Sequence, residues 1–261
     1  MKNILFSIFL MIFIPITANS QAMWALIFGD KMNTDQIKLG LLLGGTTSYF
    51  TKAQTVAFRP NIAFAIGAYV DVKIDKRGKW HLQNYLLFKA PKGAAGLDVN
   101  YESFPVDPSI LENMDMIKRS LTYIQLTPIM RYCFNPEWNI GIGPYGGLLM
   151  IARDTYSAKE DRGALTHRVR MWRNFVPIDF GLAFDVQYRL LKGEGIQINL
   201  RYEQGLINIY KKSTGMYDLN MAFQLGVGIP IKSTKAPKEG KEVKEEKMPK
   251  EPKSSKKKES S

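Results

Sequence analysis

With 261 residues, 45% of them hydrophobic, the chain has room for one large folded domain or two small ones, and it is too polar overall for a bundle of membrane-spanning helices. A single cysteine, Cys133, excludes an intramolecular disulfide. The formal charge of +12 is unevenly placed, because Lys232–Ser261 alone carry eleven Lys against six Glu.

The first twenty residues read as a secretory signal. Lys2 supplies the positive charge, Ile4 to Ile14 the apolar run, and Ala18-Asn19-Ser20 the small residues of a cleavage site, leaving Gln21 first. That run falls well short of the ~20 residues a helical span needs. No later stretch is long and apolar enough to span as a helix. A membrane location for the mature chain therefore requires a closed barrel, since unpaired backbone is not tolerated in lipid. Residues 21–36 are expected to form a periplasmic N-terminal arm.

From residue 37 onward the apolar residues recur with a period of two, which is the strand signal. Ile37–Thr46 is the first strand, with Ile37, Leu39, Leu41 and Leu43 on one face. Asn61–Ile74 is the second and the cleanest. Its apolar face is Ile62, Phe64, Ile66, Ala68, Val70, Val72 and Ile74; Asp71 and Lys73 lie on the other. Trp80–Phe88 continues the parity, placing His81, Gln83, Tyr85 and Lys89 on the polar face. Leu121–Phe134 and Trp138–Met150 are the fourth and fifth strands. Pro128 and Pro144 each remove a ladder donor, so an irregularity is expected there. Ile178–Leu190 and Ile196–Gln204 form a hairpin about Leu191–Gly195. Its register sets Val186 opposite Leu200, Phe184 opposite Tyr202 and Asp185 opposite Arg201. Leu219–Ile231 is the eighth strand.

The connections alternate in length. Asp75–Lys79, Asn135–Glu137 and Leu191–Gly195 are brief. Thr47–Phe58, Ala90–Ser120, Ala152–Val176 and Asn208–Tyr217 are longer. An even strand count with sorted loops predicts an all-β fold: an eight-stranded antiparallel up-and-down transmembrane β-barrel over residues 37–231. The proposed lipid faces of strands two to eight hold no Asp, Glu, Lys or Arg, whereas Arg or Lys there would cost roughly 2–4 kcal/mol at the bilayer midplane. Trp80, Trp138 and Tyr188 fall beside the short turns, where an aromatic belt belongs. The competing fold is a soluble calycin-type barrel with its apolar faces turned inward.

Several segments resemble the PorT-like outer-membrane β-barrel proteins of Bacteroidetes. They are Ala25-Leu26-Ile27-Phe28-Gly29-Asp30-Lys31, Leu82-Gln83-Asn84-Tyr85-Leu86-Leu87-Phe88 running to Lys92-Gly93, and Tyr123-Ile124-Gln125-Leu126-Thr127-Pro128. Further on come Gly141-Ile142-Gly143-Pro144-Tyr145, Asp179-Phe180-Gly181-Leu182 and Leu200-Arg201-Tyr202 with Gly205-Leu206. Their order, across nearly all of the mature barrel, carries the resemblance. It implies an outer-membrane location and, for the family's namesake, involvement in type IX secretion. It brings no catalytic residues with it. The Lys-rich tail and the basic third long loop depart from the family.

An eight-stranded barrel is just wide enough for its own side chains to fill. Asp185, Arg201, Arg189, Glu203, Arg131 and Asp179 are therefore expected to form a paired polar network in the lumen; the rival reading is a narrow ion path. The third long loop is basic, and Arg162, Arg168, Arg170 and Arg173 suit lipopolysaccharide phosphates. The plainer alternative is attraction to the acidic second long loop. His167, near Asp154, Ser157 and Asp161, is the one candidate general base for acyl transfer, but no spacing singles out a nucleophile. No Cys/His cluster suggests a metal, and no cofactor is expected.

Residues 232–261 repeat Lys every third position from Lys232 to Lys256 with Pro237, Pro249 and Pro252 between them. This is a disordered tail of polyproline II character, and it is expected to be periplasmic, as is the N-terminus. The expected function is non-enzymatic, structural or accessory, within the bacterial outer membrane. Its expected partners are outer-membrane lipid, lipopolysaccharide and envelope or secretion-complex proteins, with no nucleic acid. The alternatives are a lipid-modifying enzyme and a small pore.

Overall fold

The computed structural model describes residues 36–102, 104, 114–157 and 166–231. The signal segment, residues 21–35 of the arm and the tail lie outside the described residues.

Among the described residues ten strands are present: β1 (Ile37–Phe50), β2 (Thr55–Arg59), β3 (Asn61–Lys73), β4 (Trp80–Asp98), β5 (Met116–Cys133), β6 (Trp138–Ser157), β7 (Thr166–Arg170), β8 (Ile178–Arg189), β9 (Gln197–Gly205) and β10 (Asn220–Pro230). Eight of them close a ring in the order β1-β3-β4-β5-β6-β8-β9-β10, and β10 pairs back onto β1. Every pairing is antiparallel. The fold is thus an all-β, up-and-down, eight-stranded barrel. The short strands β2 and β7 lie off the ring, attached to β4 and β6 at the long-loop end.

The two faces of the wall differ sharply. Leu200 is 55% exposed, while its chain neighbour Arg201 is 0% exposed. Ile140, Ile142, Phe184, Val186 and Leu225 all point outward, and Arg131, Asp185 and Gln83 point to the axis. A soluble calycin-type barrel would have the opposite arrangement. An apolar exterior wrapped around a charged interior suits hydrocarbon as the outer solvent.

The hairpin β8–β9 sets this alternation most clearly. Val186 pairs with Leu200, Phe184 with Tyr202 and Asp185 with Arg201. Leu190 and Ile196 close its end through Leu190 N–H to Ile196 C=O (2.9 Å). The turn takes positive φ at Leu191 (54°), Lys192 (53°) and Gly193 (89°), of which only Gly adopts that region freely. Beside the short turns, Trp80, Tyr132 and Phe134 meet edge to face in sequence with centroids 5.1 and 5.3 Å apart, and Trp138 meets Tyr188 at 4.9 Å.

Within the barrel, large rings sit over small residues. The ring of Tyr69 occupies the space that a Cβ on Gly40 would need, which is how a tapering small barrel is filled.

The strands run further than the sequence pattern indicates. Much of Ala90–Ser120 and Ala152–Val176, read above as loop, is strand: β4 reaches Asp98, β5 begins at Met116, and β6 reaches Ser157. Outward positions there are polar (Lys118, Arg153), so the apolar/polar contrast disappears while the strand continues. Three bulges of the ring lie in or beside this region, two on β4 and one on β6. Register shifts occur between Leu87 and Ala90 and between Ala94 and Leu97 of β4, and between Leu149 and Ile151 of β6; the first and last flank Tyr123 of β5. Phe88 and Lys89 are consecutive exposed residues, as are Met150 and Ile151. Lys89 therefore lies on the outer face and not on the polar inner face expected for it. One extra residue shifts the parity of everything beyond it.

The prolines produce a different irregularity. The β5–β6 ladder passes from Leu126↔Gly146 to Met130↔Ile142 without a change of register. Pro128 and Pro144 fall opposite one another in the gap, neither having an N–H to offer.

Candidate functional site

The polar lumen and the outer rim hold the residues that chemistry could use. From the short-turn end, Asp71 of β3 accepts from Arg189 Nη2 of β8 (2.7 Å) and lies 3.0 Å from His81 Nδ1 of β4. Above it is an amide layer, in which Gln83 Nε2 donates to Gln197 Oε1 (3.0 Å) and Gln187 Nε2 also reaches Gln197.

Next comes the central cluster. Asp185 is gripped from two sides, by Arg131 Nη2 (2.7 Å) and by Arg201 Nε (2.9 Å). Arg131 Nη2 also donates to Tyr85 Oη (2.7 Å), and the Arg201 guanidinium lies 4.0 Å from the centre of the Tyr85 ring. Arg201 stands 4.0 Å from Glu203. Glu203 accepts from Gln125 Nε2 (2.7 Å) and pairs with Lys92 Nζ (3.0 Å). Lys92 Nζ pairs in turn with Asp179 (3.0 Å), 3.6 Å from the Tyr145 ring centre. Asp179 accepts a further bond from Asn220 Nδ2 (3.0 Å).

At the long-loop end, Arg119 forms a two-pronged pair with Asp154 (2.9 and 2.7 Å) and donates to Tyr210 Oη (2.6 Å), under a cap of Phe104 and Phe175.

All six residues singled out for the lumen, Asp185, Arg201, Arg189, Glu203, Arg131 and Asp179, point inward and are at most 5% exposed. Reasoning from sequence missed Lys92, Arg119 and Asp154, which it assigned to loops. The bulges are what aim Lys92 and Asp154 at the axis. Several guanidinium donors, among them Arg131 Nε and Nη1 and Arg201 Nη1 and Nη2, have no protein acceptor among the described residues. Buried groups of this kind are commonly served by internal water.

Two carboxylates outside the membrane-spanning segments are perturbed. Asp75 is held below its ordinary range chiefly by the Trp80 backbone N–H (2.9 Å). Burial pushes Asp218 up, although it accepts from Lys52 N–H (2.7 Å) and Thr51 Oγ1 (2.9 Å).

At the rim, Arg168 and Arg170 are exposed on β7, and Arg173 is exposed on the turn Trp172–Asn174. Arg162 and Asp161 lie outside the described residues. His167 is exposed opposite Tyr156. It does not use Asp154, whose two oxygens are occupied by Arg119.

These features define a β-barrel made to be solvated by hydrocarbon. Residues 27–211 match the family described as outer membrane protein beta-barrel domain. The chain belongs to that family, which places it in the bacterial outer membrane. No curated protein matches it. Among solved structures it is similar to Ail, the attachment invasion locus protein of Yersinia pestis, in complex with the heparin analogue sucrose octasulfate: 10% identity, TM-score 0.38, covering 75% of this chain and 99% of that one. It is also similar to Neisserial surface protein A (10%, 0.34, 75% and 96%) and to the outer membrane protease OmpT from Escherichia coli (9%, 0.31, 77% and 99%).

Proposed function

We propose that this is a non-enzymatic, structural or accessory barrel of the PorT-like kind, serving an envelope complex and in particular protein export of the type IX sort. The observation that carries the reading is the filled lumen. Arg131, Asp185, Arg201, Glu203, Lys92 and Asp179 form a continuous paired column across the axis. A barrel sealed this way works through its wall, rim and termini. The PorT-like refinement is supported by the ordered sequence segments quoted above.

β1 begins and β10 ends at the short-turn end, and we place that end and both termini in the periplasm. The Lys-rich tail is then positioned to touch periplasmic partners.

Two measurements test the proposal. Planar bilayers containing the purified protein are expected to show no reproducible single-channel conductance. Crosslinking in intact outer membrane, followed by detergent purification, is expected to recover export-apparatus subunits. Steady conductance altered by Arg201→Ala would instead establish a pore.

A further inference from the structure

Two shallow grooves adjoin on the outside of the barrel at the level of the bulges. One, of about 500 Å³, runs across β4–β5–β6 and is lined by Phe88, Lys89, Ile124, Met150 and Arg153, among others. The other, of about 660 Å³, shares Met150, Ile151 and Arg153 with it and adds Arg170, Trp172 and Arg173. Among the described residues, no carboxylate lines either groove. Among the described residues, none of Lys89, Arg153, Arg170 and Arg173 takes part in an ion pair. Inside the barrel, by contrast, each buried Lys and Arg has a carboxylate partner.

The height of this patch matters. Trp80–Phe88 on β4 and Ile124–Tyr132 on β5 are nine residues each, about the length that crosses the hydrocarbon from one interface to the other. The Trp80 and Tyr132 belt marks one interface. Lys89, directly beyond Phe88, marks the other. The β4 bulge turns Lys89 outward, and the β6 bulge does the same for Arg153. Arg170 pairs directly opposite Arg153 on β7, so the two share that outward face. Four cations thus border an apolar floor of Phe88, Ile124, Met150 and Ile151: Lys89 is level with Ile124, and Arg153 and Arg170 lie beyond Ile151.

We infer that this patch binds a phosphorylated membrane lipid, with phosphate on Lys89, Arg153, Arg170 and Arg173 and acyl chains lying on the apolar floor. Charge complementarity selects an anionic headgroup, since guanidinium forks match phosphate oxygens. The floor selects a lipid over a soluble anion. The inference rests on the outer-membrane location and not on the accessory role, so the two can fail separately.

The test uses the full chain in phosphatidylcholine nanodiscs carrying either bisphosphorylated lipid A or its dephosphorylated form. Retained lipid is counted by native mass spectrometry after transfer to detergent. Wild type is expected to keep the phosphorylated form and lose the other. K89Q/R153Q/R170Q/R173Q is expected to retain about tenfold less or lower still, while K211Q/K212Q, on another sector of the rim, behaves as wild type. Heat-dependent gel mobility checks that each variant is folded. Should the quadruple variant not fold, the wild-type comparison of the two lipid forms still decides. Equal retention of both forms would overturn the inference. So would equal retention by a folded quadruple variant, or displacement of the lipid by inorganic phosphate at concentrations comparable to lipid A.

Discussion

Below the bulges of β4 and β6 the wall obeys one rule, with apolar residues out and charged residues in. Above them the strands continue, but Lys89 and Arg153 face out while Lys92 and Asp154 face in. The backbone is the same ladder in both regions. What differs is the residue inserted at each of these bulges and the solvent outside. In the lower region hydrocarbon forbids outward charge, so side-chain chemistry alone reports orientation. In the upper region water and headgroups accept charge on the exterior, and only the ladder tells in from out.

That comparison can be broken deliberately. Deleting Lys89 removes the β4 bulge and returns the parity beyond it, so Lys92 turns away from Asp179 and Glu203. This is expected to exceed any single substitution in cost and to abolish the heat-resistant folded band on gels. Asp185→Ala strips the carboxylate from Arg131 and Arg201 together. Breaking a buried pair costs about 3–5 kcal/mol, to be read from urea unfolding in detergent micelles. Val186→Arg places charge on the hydrocarbon face next to Asp185 and is expected to cost about 2–4 kcal/mol by the same measurement, whereas an Arg on the upper exterior, as at Arg153, is already tolerated.

The smallest effect belongs to the Asp75–Lys79 turn. The Asp75 carboxyl is held low by the Trp80 N–H, so its contribution is present above the ordinary carboxylate pKa of about 4 and fades as pH falls through the lowered value. The protection of the Trp80 amide, its exchange rate divided into the intrinsic rate at each pH, is expected to fall on acidification, and Asp75→Asn to remove that dependence.

How far the sequence could be read follows the same division. The β8–β9 register and the inward direction of Asp185, Arg201 and Arg131 lie where apolar and charged residues alternate, so they are legible in the letters. The ends of β4, β5 and β6 are not, because outward Lys118 and inward Arg119 look alike as text. Loop composition misled for the same reason. The second long stretch reads acidic and the third basic, yet the pair joining them is Arg119 from the former and Asp154 from the latter. Lys92 was hidden by a bulge that nothing in Phe88-Lys89 announces. Pro128 and Pro144 did announce an interruption, and the ladder is interrupted between them without a shift.

The most direct test of the account labels single cysteines along β8 in lipid bilayers, in a Cys133→Ser background. The positions are Leu182, Ala183, Phe184 and Val186, each carrying a nitroxide read by collision with lipid-dissolved oxygen. Leu182, Phe184 and Val186 are expected to be strongly accessible from the hydrocarbon and Ala183 shielded from it. A reversed alternation, with Ala183 lipid-accessible and Phe184 enclosed, would contradict a barrel that keeps its charges on the axis.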